Sequence, residues 1–203
     1  MSKQRTKDTF IKYLHAMKPI DRLNGKYVDT TDLTDLHKKL KKDKKKVVFT
    51  AGSWDLLHVG QMRYLERAKE QGDILIVGVN SNESIRKVKG KNKPILDEMI
   101  RSEALTYLSA VDYVTDIPTV SCQPVLALLK PDVYITVGEE WNKDFGKSKE
   151  HKTVIENGGK VVIVERQSPY ISTSSIVERV VGAHMGDLFK KFMKVRKKPL
   201  KDK

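Results

Sequence analysis

Only one of the 203 residues is a cysteine, Cys122. A lone thiol excludes an internal disulfide and a multi-cysteine zinc site. No apolar run approaches the roughly 20 residues that a bilayer-spanning helix needs. The opening residues, Met-Ser-Lys-Gln-Arg, lack the apolar region of a signal peptide. The expectation is a cytoplasmic protein with no membrane partner. Acidic residues are also scarce, with 26 Asp plus Glu against 39 Lys plus Arg and a net charge of +13. Such a surplus draws in anions, whether nucleotides, phosphosugars or nucleic acid. Much of it lies in two blocks, Lys38–Lys46 and Lys190–Lys203, outside the periodic core. Phe192 is the only aromatic in either block, whereas a single-strand platform needs several stacked rings. Both blocks therefore read as a solvated helix face and a tail, and nucleic acid is not expected as a partner.

The chain is organised around residues 47–61, Val-Val-Phe-Thr-Ala-Gly-Ser-Trp-Asp-Leu-Leu-His-Val-Gly-Gln. Val47–Phe49 is a short apolar, β-favouring run, and Gly52 and Ser53 break it. From Leu56 to Lys69 the spacing turns helical, with Val59, Met62, Leu65 and Ala68 on one side. Gly72 stands where a left-handed helix cap is expected. A strand feeding a helix through a glycine turn offers free N–H groups at the positive end of the helix dipole, an anion site whose commonest occupant is phosphate. His58 and Gln61 lie on neighbouring positions of that first turn, and Gly60 between them carries no side chain to obstruct a phosphate. The stretch is neither a Walker loop nor Gly-x-Gly-x-x-Gly.

Gly52-Ser53-Trp54-Asp55-Leu56-Leu57-His58-Val59-Gly60-Gln61 resembles the signature of the cytidylyltransferase-like nucleotidyltransferases, which normally carry His-x-Gly-His. Gln61 stands in place of the second histidine. Four later stretches resemble the same family in order. Asn80-Ser81-Asn82, with Lys89-Gly90, matches an Asn-Ser-Asp-like turn followed by Lys-Gly, and implies phosphate contact by Lys89. Arg101 and Val111-Asp112 match the family's Arg and Val-Asp. Arg101 reads either as a structural ion pair or as a ligand contact, and Asp112 as a turn residue. Gly138-Glu139-Glu140-Trp141 matches a glycine exit followed by acidic and aromatic residues. Trp141 there either stacks near the nucleotide or caps the core edge. Ser172-Thr173-Ser174 matches the family's Ser-Thr-Ser motif, and supplies either a plain helix cap or a second anion site.

Apolar strands are predicted at 47–50, 74–79, 113–116, 133–136 and 161–164. The helices between and after them are predicted at 58–71, 83–88, 97–109, 123–129, 148–157 and 173–181. This alternation implies α/β architecture, a Rossmann-like parallel five-stranded sheet with helices on both faces. Residues 1–46 are expected to be a helical extension, with one helix through Phe10, Tyr13, Leu14 and Met17. A second helix, capped by Thr31, carries Leu33, Leu36 and Leu40. The nucleotidyltransferase unit is expected over 47–183 and a basic helix or tail over 184–203.

The resemblance implies nucleotidyl transfer. A phosphate oxygen of an acceptor attacks the α-phosphorus of CTP or ATP, and pyrophosphate leaves. His58, Gln61 and Lys89 are the implied catalytic residues. Gly52, Ser53, Trp54, Asp55, His58, Gly60, Gln61, Arg101, Gly138, Trp141, Ser172, Thr173 and Ser174 are the implied nucleotide contacts. Magnesium is expected to arrive with the triphosphate, with no metal site in the protein itself. The acceptor is expected to be a phosphorylated sugar or polyol, and the protein a homodimer. Gly138–Trp141 leans towards glycerol-phosphate cytidylyltransferases and CTP. Asn80–Asn82 with Lys89-Gly90 leans towards heptose-phosphate adenylyltransferases, and Ser172–Ser174 is shared with flavin adenylyltransferases. Because glutamine cannot carry charge, a nucleotide-binding protein weakened in catalysis is a further reading.

Overall fold

The computed structural model describes residues 24–138, 145–168 and 170–196, with side chains to residue 191. The helix expected around Phe10–Met17, Glu139, Glu140, Trp141 and the last seven residues lie outside these. The elements are α1 (Leu33–Lys42), β1 (Val47–Gly52), α2 (Val59–Lys69), β2 (Ile74–Asn80), α3 (Asn82–Lys89) and α4 (Glu98–Thr106). They continue with β3 (Tyr113–Ile117), α5 (Gln123–Leu129), β4 (Val133–Val137), α6 (Lys149–Glu156), β5 (Lys160–Val164) and α7 (Thr173–Arg196).

All strand pairings are parallel, in the order β3-β2-β1-β4-β5. Strand side chains alternate between two cores, as a sheet covered on both faces requires. Val48, Leu75, Val77, Val114 and Ile135 pack under α2 and α4. Val47, Phe49, Ile76, Ile117 and Tyr134 pack against α1, α5 and α6. The strand order reverses between β1 and β4, and crevices for ligands form at such switch points.

Several expectations need correction. Thr31 caps no helix; it lies in a 3-10 turn capped by Asp29, whose carboxylate accepts the Thr31 N–H. Helix α1 follows that turn, with Leu33 and Leu40 buried in the core beside α5. Helix α4 closes at Thr106, before Ser109, and α7 runs on to Arg196. Gly72 is no left-handed cap, being absent from the positive-φ glycines of the described residues. Its Cβ would lie 2.7 Å from the Lys46 carbonyl oxygen and from Val48 Cγ2; close approach of two chain segments requires the glycine. Helix α2 turns Gly60, Tyr64 and Ala68 inward together with Leu65, leaving Val59 and Met62 exposed. Asp112 does more than turn the chain: its carboxylate accepts the Leu75 N–H at 2.7 Å and the Lys69 ammonium at 2.5 Å.

Candidate active site

Strands β1 and β4 pair only at Val48–Val133 and Phe49–Tyr134. Beyond those residues they diverge, and a cleft of about 390 Å³ opens at their carboxyl ends. Tyr64 fastens the fork. Its hydroxyl donates to the Ile135 carbonyl at 2.9 Å and accepts from Thr50 Oγ1 at 2.7 Å. Burial raises the phenol well above its ordinary value, so it stays a neutral donor. Strand β1 then enters a tight turn in which Trp54 and Leu56 both have positive φ, at 51° and 49°. Such a conformation is uncommon for bulky residues and gathers at functional sites. Trp54 is held in it by an indole N–H bond to the Gly78 carbonyl at 2.9 Å and by stacking on Tyr64.

His58 caps α2. Its Nδ1 accepts the Gly60 N–H at 3.2 Å, while Gln61 Oε1 accepts the His58 N–H at 3.1 Å. This is a reciprocal capping box. Two consequences follow for the side chains that line the cleft. With Nδ1 occupied as an acceptor, the neutral imidazole carries its proton on Nε2. With Oε1 spent on the backbone, the Gln61 amide keeps its N–H donors for the cleft. Partial burial, and after it the Arg166 guanidinium, hold the His58 pKa below the ordinary 6.5. Gly60 is also needed for packing, because its Cβ would come within 2.7 Å of Ser168 Cβ.

Helix α7 brings the second first turn. Ser172 caps it, its Oγ accepting the Ser175 N–H at 3.1 Å, while Ser175 Oγ donates to the Ser172 carbonyl at 2.9 Å. The Thr173 hydroxyl donates to the Asp55 carbonyl at 2.6 Å, tying α7 to the turn after β1. Ser174 lines the cleft beside them, and its hydroxyl has no partner among the described residues. His58 and Thr173, predicted from opposite ends of the domain, therefore share one cleft. Lys89 reaches it from α3, donating to Ser53 Oγ at 3.0 Å. Desolvation at the wall lowers its pKa against the opposing pull of Asp55, with Lys93 and Arg101 adding to the fall.

Of the expected nucleotide contacts, Gly52, Ser53, Trp54, His58, Gly60, Gln61, Ser172, Thr173 and Ser174 line the cleft. Three do not. Asp55 is buried, and its carboxylate accepts the Ile95 and Leu96 N–H groups at 2.9 and 3.0 Å, clasping the segment after α3. It borders a smaller hollow of about 70 Å³ that also touches Lys89, Lys93 and Ser174. Arg101 is fully buried. It is neither an ion pair nor a cleft residue: its guanidinium donates to the carbonyls of Leu96, Asn80 and Ser53 and to Asn82 Oδ1. Gly138 makes room for Ile163, whose Cγ2 would lie 2.4 Å from an added Cβ. Sequence reasoning missed Tyr64, Thr136, Arg166, Gln167 and Ser168, all of which line the cleft. Arg166 had one signal, as a lone arginine just past the end of a strand.

The cleft lining contains no carboxylate among the described residues, and these form no cluster of three metal-ligating side chains.

The structure sets two capped helix N-termini and basic side chains at the switch point of a parallel α/β sheet, the place where folds of this class take anionic ligands. The chain belongs to the cytidylyltransferase-like family, whose model matches residues 49–179. It is 37% identical over 143 residues to the bifunctional protein HldE of Nitratiruptor sp., covering 68% of this chain and 31% of that protein. It is 35% identical over 162 residues to the bifunctional protein HldE of Helicobacter pylori J99, covering 80% of this chain and 33% of that one. The chain thus spans about a third of the length of these curated relatives. Among solved structures it resembles the lipopolysaccharide core biosynthesis protein of Thermoplasma volcanium, with TM-score 0.52, 27% identity and coverage of 60% of this chain and 98% of that one.

Proposed function

We propose that this chain transfers a nucleoside monophosphate from a nucleoside triphosphate to a phosphorylated sugar or polyol and releases pyrophosphate. The observation that carries the proposal is the meeting of the α2 and α7 first turns in one cleft at the sheet's switch point. An oxygen of the acceptor phosphate forms the new bond to the α-phosphorus. The bond from that phosphorus to the β-bridging oxygen breaks, and pyrophosphate takes the electron pair. No protein nucleophile is required, so positioning and charge stabilisation do the work. His58 Nε2–H and the Gln61 amide donate to the reacting phosphate as charge develops. Ser174 and the N–H groups opening α7 hold the leaving phosphates, and Lys89 holds the acceptor. Bound magnesium, arriving with the triphosphate, would supply countercharge there. Gln61 makes a neutral hydrogen bond, worth about 0.5–1.5 kcal/mol, where a cation would give about 1.5–3. The expected result is a slowed transferase.

CTP is the first candidate donor. The stretch that leans towards ATP and a heptose phosphate leads to the cleft: Ser81 caps α3, Asn82 bonds Arg101 and Asp97, and Lys89 at the end of α3 lines the cleft. This supports adenylyl transfer as the second reading. A homodimer in the cytoplasm remains the proposed working form. The test is pyrophosphate release with CTP or ATP and a panel of phosphorylated sugars and polyols, in wild type and Gln61→His. Product with one pair, made faster by the histidine, is expected. Tight triphosphate binding without product from either version would leave a nucleotide-binding protein without the transferase reaction.

A further inference from the structure

Lys89 stands where two cavities meet. It lines the main cleft and also the smaller hollow of about 70 Å³, as do Ser53, Thr173 and Ser174. Lys93, Asp55 and Ile85 line the hollow only. Lys89 is open to solvent, and the partner of its amine is Ser53 Oγ at 3.0 Å. No described carboxylate forms an ion pair with it. Asp55, the one acidic residue of the hollow, spends its carboxylate on the Ile95 and Leu96 N–H groups. Desolvation first, then the Lys93 and Arg101 charges, favour the neutral amine against the pull of Asp55. The neutral amine is the nucleophile, and a desolvated lysine beside other cations is activated for attack on carbonyl carbon. Two groups suited to a phosphate stand beside it: the Lys93 ammonium and the Ser174 hydroxyl in the first turn of α7. A phosphate seated on these two sets whatever it is esterified to against Lys89 Nζ.

We propose that Lys89 is a modification site, acylated by acyl phosphates that the hollow seats, and that the acylated protein no longer takes its acceptor. The second half of this rests on the acceptor role given to Lys89 above; the first does not. The Lys89 nitrogen forms a bond to the carbonyl carbon of the acyl phosphate. The bond from that carbon to the phosphate oxygen breaks, and inorganic phosphate leaves with the electron pair. The surplus proton on nitrogen passes to water. The product amide carries no charge, so the hollow keeps one of its two ammonium groups and grips a phosphate monoester less well. The triphosphate stays on the first turns of α2 and α7, which the modification does not touch.

Acetyl phosphate is the probe, applied to the full chain at neutral pH, with the rate at each lysine read by peptide mass spectrometry. Lys42 and Lys45 are the comparators; both are exposed and precede β1, at the end of the strand away from the cleft. Lys89 is expected to react at least about tenfold faster than either, because a charged hollow concentrates the anionic reagent. Added inorganic phosphate should slow Lys89 and leave the comparators unchanged. N-hydroxysuccinimidyl acetate, an acetyl donor without phosphate, should show a smaller preference that phosphate does not alter. A Lys89 rate equal to that of Lys42, an equal preference with both reagents, or no slowing by phosphate would overturn the site. The acetylated protein should keep its CTP affinity by calorimetry and lose acceptor-dependent pyrophosphate release about tenfold. Unchanged release would overturn the loss of the acceptor. Untreated protein is assayed alongside: no release there, with Lys89 still preferred by acetyl phosphate, would uphold the site and count against the transferase reading alone.

Discussion

The Thr173 hydroxyl and the Asp55 carbonyl, 118 positions apart, are joined by a 2.6 Å hydrogen bond. It locks the first turn of α7 to the turn leaving β1, so that the two helix N-termini flank one cleft. Thr173→Val keeps the shape and removes the donor. The loss should be about 1 kcal/mol in stability. The triphosphate affinity should fall as well, because the two turns are no longer fixed together. Thermal melts and calorimetry on the same samples measure both.

The His58 cap makes site and fold sensitive to acid in one direction. The folded pKa is depressed, so the unfolded chain binds the extra proton more readily, and stability falls as protons are added. The part of stability tied to keeping His58 neutral, through its burial and the Arg166 charge, is complete above about 6.5 and declines as the pH falls from there towards the lowered folded value. Turnover should decline over the same window, since a proton on Nδ1 displaces the Gly60 N–H. His58→Asn, which can still cap a helix, should keep the wild-type melting temperature at neutral pH. It should flatten the acid limb of stability and lower the rate on the order of a hundredfold. A pH series of melts and rates on both proteins checks this.

Gln61 has two ends with two tasks, and Gln61→Glu separates them. Glutamate retains the oxygen that accepts the His58 N–H, so the capping box and the melting temperature should survive. It has no N–H donor and adds a negative charge facing the phosphates. Triphosphate affinity should drop more than tenfold while the circular dichroism and melt stay as in wild type. Equal loss of both would mean that Gln61 acts on the fold alone.

Arg101 presents the opposite case, a buried charge whose partners are mainly backbone carbonyls. Arg101→Met should cost about 3–5 kcal/mol, because several buried acceptors lose their donor together. Arg101→Lys should rescue little, since a single ammonium cannot span the carbonyls of Ser53, Asn80 and Leu96. Urea titrations of the three proteins give the comparison.

The sheet was legible because its signal is local: Ile74–Val79 and Val133–Thr136 are apolar runs bounded by breakers, and each strand was placed within one or two residues at either end. The cleft was legible where resemblance and helix-start chemistry coincided, at His58 and at Thr173. Roles that depend on distant partners were not. Nothing local in Arg101 tells a ligand contact from a clasp on three loops, and nothing in Asp55 tells a nucleotide contact from a bond to Ile95 and Leu96. Gly60 was read as room for a phosphate and Gly72 as a left-handed helix cap. Their real constraints, Ser168 and Lys46, come from other parts of the chain. Tyr64 drew no reading at all from the sequence, and its value lies in a hydroxyl at the fork of two strands.

The central claim is that both helix starts grip one triphosphate. Calorimetric titration of CTP and ATP into wild type, Gln61→Ala and Ser174→Ala tests it most directly. Each substitution should weaken the preferred triphosphate about tenfold, the loss of roughly one hydrogen bond, and change binding of the matching monophosphate much less at Ser174. Triphosphate affinity left unchanged by either substitution would mean that the helix concerned takes no part, and would contradict the account.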